Sequence, residues 1–301
     1  MTEHPPKRAG FVAILGAPNA GKSTLLNQIV GRKLSIVTPK VQTTRTRIRG
    51  VRIEGEAQLV LVDTPGIFQP RRRLDRAMVD KAWGEAAEAD AVVLLIDATR
   101  GLDDDATRIL DGLKSSGRKA VVAINKVDAV ARATLLPIAK AIDESGVAAA
   151  VFMISALTGD GVEDLVRDLV KRLPESEWLF PEDQLSDITE RFLAAEIVRE
   201  QLFLKLGREL PYAATVETER FLEQKDGSAR IEATIIVQKD SQKPIVLGHQ
   251  GSKIKEIGQA ARVELEAELE RRVHLFLFVK VRKGWDEEPS RFRDMGLDFP
   301  Q

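Results

Sequence analysis

Eight residues near the start of the chain, Gly16-Ala17-Pro18-Asn19-Ala20-Gly21-Lys22-Ser23, have the types and spacing to hold a polyphosphate. Gly16 and Gly21 let the backbone fold back so that several N–H groups face one anion. Lys22 adds a mobile positive charge for the outer phosphates, and the Ser23 hydroxyl is suited to a Mg²⁺ ion. The elements that must position them are legible on either side. An apolar run over residues 11–15 reads as a strand leading in. From Thr24 to residue 30 the spacing is helical, so a helix N-terminus adds its partial positive charge. A chance glycine turn would need neither the strand nor the full spacing.

Three further groups sit where other apolar runs end. The run 58–62 delivers Asp63 and then Thr64-Pro65-Gly66. A carboxylate at a strand tip suits Mg²⁺, directly or through water, and Gly66 can bring its N–H to the last phosphate. The run 120–124 ends in Asn125-Lys126-Val127-Asp128. The Asp128 carboxylate can accept both the ring N–H and the exocyclic amine of guanine, a pair that adenine lacks. Asn125 would fix the loop and the purine edge, and the Lys126 stem would lie over the ring. A base that left such a buried group unpaired is rejected. Ser155-Ala156-Leu157 closes the next apolar run and would add an N–H to the guanine oxygen. As a set these groups select GTP over ATP. Between the cradle and Asp63, the loop 42–46 carries three hydroxyls, one of which should reach Mg²⁺ and the last phosphate: Thr44, with Thr43 the alternative. Residues 67–73, with Pro70 and Arg71-Arg72-Arg73, would form a second mobile segment. The triple arginine is a transition-state charge, an RNA contact or a solvated face, the last being commonest for such runs.

Strand and helix signals alternate from residue 91 to 173, after a hairpin over 48–53 and 58–63. That order predicts an α/β fold: a mostly parallel sheet with helices on both faces, whose ligands bind beyond the carboxyl ends of the strands. The ordered motifs resemble those of Ras-type GTPases. One departure has consequences. The glutamine that orients the attacking water in such enzymes is replaced by Ile67, which cannot hydrogen-bond a water. This resembles the bacterial GTPases with a hydrophobic residue there. In several of them an Asn in the cradle accompanies a bound K⁺, and Asn19 matches it. The resemblance implies slow hydrolysis, with Mg²⁺ as cofactor (Ser23, Thr44, Asp63) and K⁺ as an activating cation.

Composition bounds the rest. A chain of 301 residues suits two domains, and the formal net charge of −1 announces no global field for nucleic acid. There is no cysteine, hence no disulfide or thiolate metal site, which suits a reducing cytosol. His4, His249 and His274 are scattered. Residues 1–8 are polar and do not read as a signal sequence, and the longest apolar runs are far too short to span a bilayer. A soluble, cytoplasmic protein is expected.

After Leu173-Pro174 the residues 175–186 lack periodicity and read as a linker. An amphipathic helix follows at 189–206, then strands at 215–222 and 229–238 around Asp226-Gly227. A short helix at 244–247 leads to Gly248-His249-Gln250-Gly251, a helix at 252–269 and a strand at 274–283. A Gly-x-x-Gly turn between helices lets a nucleic-acid backbone approach main-chain N–H groups. Lys253 and Lys255 sit on the next helical turn, and across 239–283 Lys and Arg outnumber Asp and Glu. The element order resembles the KH fold in its bacterial (type II) arrangement, which clamps single-stranded nucleotides. His249-Gln250 lacks the basic residue many such loops carry, so phosphate affinity would lean on Lys253, Lys255 and Lys283.

A GTPase domain followed by such a domain resembles the Era-type GTPases of bacteria. The expected division is 8–175 GTPase domain, 176–190 linker, 191–285 KH domain and 286–301 tail. The resemblance implies GTP and GDP as ligands, the 3′ end of 16S rRNA and the 30S precursor as partners, and a role in small-subunit assembly. It also implies partial attachment to the cytoplasmic face of the inner membrane. The chain is expected to act as a monomer.

Overall fold

The computed structural model describes residues 6–40, 43–207 and 210–299. Two compact units emerge, one of Met1–Ser35, Thr44–Asp187 and Met295–Gln301, the other of Ile36–Thr43 and Ile188–Asp294.

In the first unit the chain runs β1 (Arg8–Gly16), α1 (Lys22–Val30), β2 (Ile48–Glu54), β3 (Ala57–Asp63), α2 (Arg73–Glu88), β4 (Ala91–Asp97), α3 (Asp104–Ser115), β5 (Ala120–Asn125), α4 (Leu135–Glu144), β6 (Ala148–Met153) and α5 (Val162–Arg172). The sheet order is β2-β3-β1-β4-β5-β6. Only β2 is antiparallel, paired with β3 through the expected hairpin; β1 pairs in parallel with both β3 and β4. Strands β3, β4 and β5 are buried along their whole length, as parallel strands covered on both faces must be. Alternation divides the core. Ala13, Leu15, Val122 and Ile124 pack with Ala82 and Ala86 of α2, Ile109 and Leu113 of α3 and Ile142 of α4. Their neighbours Val12 and Ile14 point to the other face, where Leu25, Leu26 and Ile29 of α1 and Leu165 and Leu169 of α5 are buried.

Helix α2 carries a weak sequence signal. Its buried face adds to Leu74 and Met78 three alanines (Ala77, Ala82, Ala86) and the charged Asp75 and Glu85, so little hydrophobic contrast marks it. Asp75 accepts the N–H groups of Arg71 and Arg72, which starts the helix inside the arginine run.

The second unit contains α6 (Glu190–Lys205), β7 (Ala214–Glu223), β8 (Ala229–Val237), α7 (Lys243–Leu247), α8 (Ser252–Leu269), β9 (Val273–Val281) and α9 (Pro289–Asp294). Its sheet order is β7-β8-β9, antiparallel then parallel. Ile197 and Leu202 of α6 and Ile257, Ala261 and Leu265 of α8 bury against Ile231, Ala233 and Ile235 of the central strand. Beyond residue 285 regular structure continues as far as Asp294. A 3₁₀ turn at Trp285–Glu287 precedes α9, and Trp285 and Phe292 are fully buried. Among the described residues no helix is long and apolar enough to cross a membrane.

Candidate functional site

Parallel pairing brings the ends of β1, β3, β4 and β5 to one edge of the sheet. Gly16 ends β1 at φ 157°, where a Cβ would lie 2.8 Å from the Leu95 carbonyl oxygen. Gly21 caps α1 at φ 102°. Between them Ala17, Pro18 and Ala20 are buried, while Asn19 is exposed at φ 64°. A left-handed Asn is tolerated because its short polar side chain can bond locally. Lys22 is buried, and its ammonium donates to the carbonyls of Gly16 (3.1 Å) and Ala17 (3.0 Å). Burial lowers its pKa from 10.5 to about 8, against the pull of the Asp63 carboxylate.

The hydroxyls expected around Mg²⁺ converge on Asp63. Ser23 Oγ donates to Asp63 Oδ2 at 2.7 Å and lies 2.9 Å from Thr44 Oγ1. Thr44 Oγ1 is 3.3 Å from the same oxygen. Thr43 goes elsewhere: its hydroxyl donates to the Lys40 carbonyl at 2.7 Å and pairs with Thr38. Gln42 lies outside the described residues. A fourth hydroxyl, Ser35, donates to Asp63 Oδ2 at 2.8 Å and is buried. Sequence reasoning missed it, because residues 31–41 show no periodicity. It is placed by Asn27, whose side chain accepts from the N–H groups of Leu34 and Ser35 and donates to the Ser35 carbonyl. Burial raises the Asp63 pKa, opposed by Lys22 and the three hydroxyls. Its Oδ1 is buried without a hydrogen-bond partner.

Next to Asp63, the Thr64 hydroxyl donates to the Ile14 carbonyl and anchors the turn. After Pro65, Gly66 passes so close to Pro18 that a Cβ would meet its backbone nitrogen at 3.0 Å. Ile67 donates its N–H to the Gly16 carbonyl, and its side chain, 1% exposed, is part of the core with Ala13 and Leu15.

Asn125 ties the remaining groups together. Its amide nitrogen donates to Ala20 O and its oxygen accepts from Ala156 N–H, both at 2.8 Å. One buried side chain thus connects the phosphate loop with the loop after β6. Lys126 stands at φ 66° and pairs with Asp97 at 2.5 Å. Burial opposes ionisation of Asp97, but hydrogen bonds from Lys126 and Thr99 hold its carboxyl below the usual range. Asp97 is a second residue missed from sequence, although its place at a strand end was a usable signal. Asp128 lies exposed in a 3₁₀ turn, open to a ligand. Ser155 and Ala156 are buried and Leu157 is exposed. Thr24 is half-buried on the first turn of α1.

In the second unit Gly248 (φ 73°) ends α7 and Gly251 (φ 77°) caps α8, with His249 and Gln250 exposed between them. A Cβ on Gly248 would lie 2.6 Å from Lys253 Cβ and 2.7 Å from its backbone nitrogen; around Gly251 the space is open. Lys253 pairs with Glu256 at 2.7 Å, while Lys255 is exposed. Lys283 and Lys239 line an open cleft of about 530 Å³ with Asp240, Ser241 and Gly284.

Known proteins share both halves. The family described as 50S ribosome-binding GTPase matches residues 11–126, and the KH domain family matches 209–286. GTPase Era of Brucella suis is 58% identical over 99% of this chain and 96% of its own length. GTPase Era of Caulobacter vibrioides is 55% identical, covering 99% of each. The solved structure of a variant of Aquifex aeolicus Era bound to GDP·AlF₄⁻ is 40% identical, with a TM-score of 0.90 over 96% of this chain and 99% of that one. A structure of Era in complex with MgGDPNP and nucleotides 1506–1542 of 16S ribosomal RNA is also 40% identical, with a TM-score of 0.91 over the same shares. A GTP cradle and a KH domain in one chain, with identity this high over nearly the whole length, lead to one conclusion: the chain belongs to the Era family of GTPases.

Proposed function

We propose that this GTPase binds GTP with Mg²⁺ at the edge formed by Gly16, Lys22, Ser23, Thr44, Asp63 and Gly66. Its second function is to bind single-stranded 16S rRNA near the 3′ end through the Gly248–Gly251 loop, in assembly of the small ribosomal subunit. The division that goes with this reading is a GTPase domain over 8–175, a linker to 190, a KH domain to 285 and a tail beyond. The observation that carries the nucleotide half is the oxygen cluster of Ser23, Thr44 and Asp63, with Asp63 Oδ1 buried and unpaired. Such hard oxygen donors fit Mg²⁺. In this reading phosphate oxygens complete the set that Ser23, Thr44 and Asp63 begin. Bound there, Mg²⁺ would neutralise charge on the outer phosphates.

The remaining roles belong to the chain. Lys22, held by two loop carbonyls, turns its ammonium to the outer phosphates. Gly66 N–H and Thr44 meet the last phosphate. Hydrolysis joins a water oxygen to the last phosphorus and breaks the bond to the bridging oxygen, yielding GDP and phosphate. With Ile67 buried, no side chain at that position orients the water, and backbone groups must do so. Intrinsic turnover is therefore slow. Asn19, exposed at the rim of the cradle, is the residue for a K⁺ beside the phosphates; equal turnover in K⁺ and Na⁺ would remove that part.

The RNA half rests on the paired glycines, which leave main-chain N–H groups approachable, and on the RNA bound to the 40%-identical Era structure. The GTPase family's description refers to the 50S subunit, but its match ends at residue 126 and does not include the RNA-binding half. The two functions are linked if GTP orders the loop 42–46 and residues 67–73 and hydrolysis releases them. Filter binding with a 16S 3′-end oligonucleotide tests this. RNA affinity is expected to be higher with a GTP analogue than with GDP, and equal affinities refute the coupling.

A further inference from the structure

Asp63 stands at the end of β3, and its carboxylate can turn about its last bond, because that torsion is broad and nearly two-fold. The strand alone therefore does not settle which oxygen is left for a metal. Three hydroxyls converge on Oδ2: Ser23 at 2.7 Å, Ser35 at 2.8 Å and Thr44 at 3.3 Å. Ser23 and Thr44 each keep lone pairs for a metal, and both belong to the proposed Mg²⁺ set. Ser35 does not. It is 1% exposed, and buried hydroxyls mostly bond the backbone, yet this one bonds a carboxylate 28 positions away.

The helix that carries Ser23 also fixes Ser35. Asn27, one turn on from Ser23 in α1, accepts the N–H groups of Leu34 (2.8 Å) and Ser35 (2.9 Å) and donates to the Ser35 carbonyl at 2.7 Å. Leu34 is buried beside Gly50 of β2, where a Cβ would lie 2.6 Å from Val30 Cγ2 and 3.0 Å from Leu34 Cδ1. The backbone of Ser35 is thus set by α1 and β2, and all of these residues belong to the first unit. With Oδ2 held, the oxygen left over is Oδ1, which is buried and has no hydrogen-bond partner among the described residues. We propose that Ser35, held by Asn27, is a positioning residue of the Mg²⁺ site: its hydroxyl fixes the rotation of the Asp63 carboxylate and keeps Oδ1 open to the metal or its water. This rests on the reading that Asp63 serves Mg²⁺.

The test loads the full chain with fluorescent GDP and follows its release into excess unlabelled GDP across a Mg²⁺ titration, from EDTA to saturation. Thermal unfolding is the control for folding. GDP lacks the last phosphate, so the contact of Thr44 with that group does not enter. Mg²⁺ is expected to slow release from the wild type, and Asp63→Asn to remove most of that effect. Ser35→Ala is expected to raise the half-saturating Mg²⁺ concentration about tenfold, the loss of one hydrogen bond to a charged group. Ser35→Thr, which keeps the hydroxyl, should recover most of that loss. Asn27→Ala should raise the midpoint by a smaller factor, and the double variant should be no worse than Ser35→Ala alone. Asn27→Ala carries the test if the Ser35 variants fail to fold. A merely structural role would speed release equally in EDTA and in Mg²⁺ and leave the midpoint where it was; that result, or a lower midpoint, overturns the positioning role. If the effects multiply in the double variant, Asn27 does not act through Ser35 and its part falls. If Asp63→Asn keeps the wild-type Mg²⁺ dependence, the assignment of Asp63 falls and the role of Ser35 with it.

Discussion

Two glycine loops open two helices in this chain, and they solve opposite problems. The loop before α1 is locked: Lys22 bonds two of its carbonyls, Asn125 holds Ala20, and Gly66 packs on Pro18. The loop before α8 is open, with His249 and Gln250 exposed and free space around Gly251. A locked loop presents fixed dipoles in a low-dielectric site, where each is worth more and needs no reorganisation. An open loop lets a polymer backbone slide in and leaves the affinity to mobile lysines. The same residue type therefore serves rigidity in one place and access in the other.

The sharpest way to break this contrast is Gly21→Ala. Its Cβ would fall 2.3 Å from Asn125 Nδ2 at a φ of 102°, so the clamp on Ala20 and Ala156 must open. Loss of two buried hydrogen bonds should weaken GDP binding by about a hundredfold in a fluorescence titration. Unchanged affinity would mean that the loop is not locked.

The open loop should respond unevenly. Gly248→Ala drives a Cβ into Lys253 and should weaken RNA binding clearly. Gly251→Ala meets open space and carries only the left-handed strain, about 1 kcal/mol. Neither should alter GDP affinity, and a larger RNA defect from Gly251→Ala would reverse the assignment.

The smallest effect concerns charge. Hydrogen bonds from Lys253 and Lys205 hold the Glu256 carboxyl below the usual carboxylate range. It is thus ionised at neutral pH and occupies Lys253. Glu256→Gln should free that lysine, raise RNA affinity several-fold and steepen the salt dependence by about 0.7 in the log–log slope. Because the folded carboxyl ionises more readily than an ordinary one, the difference from wild type should hold constant from about pH 6 to 8 and fade only as pH falls through the carboxylate range. A salt slope unchanged from wild type would show that Lys253 does not meet phosphate.

What could be read from the sequence was chemistry written in local spacing. The cradle, Asp63 at a strand tip, Asn125 to Asp128 and the paired glycines each need only a few consecutive residues and the element they terminate. Helix α2 escaped because alanines and buried carboxylates dilute Leu74 and Met78 on its inner face. Ser35 and Asp97 escaped for a different reason: their roles depend on what a distant residue places beside them, Asp63 for one and Lys126 for the other. Which of Thr43 and Thr44 turns its hydroxyl toward Asp63 likewise needed the fold, since adjacent hydroxyls of identical type differ only in which way the chain turns them.

By itself, then, the sequence determined the ligand class and the two-part plan, because a phosphate cradle, a polar Asn125–Asp128 run at a strand end and a Gly-x-x-Gly turn are each set by bonds along the chain. Only the tertiary structure decided how tightly each loop is held. Asn125 closes one loop from a strand end more than a hundred positions away from Ala20, whereas among the described residues none outside its own turn comes within 4 Å of where a Gly251 Cβ would stand. Such locks come from long-range packing of side chains whose types carry no signal until the strands and helices bring them together.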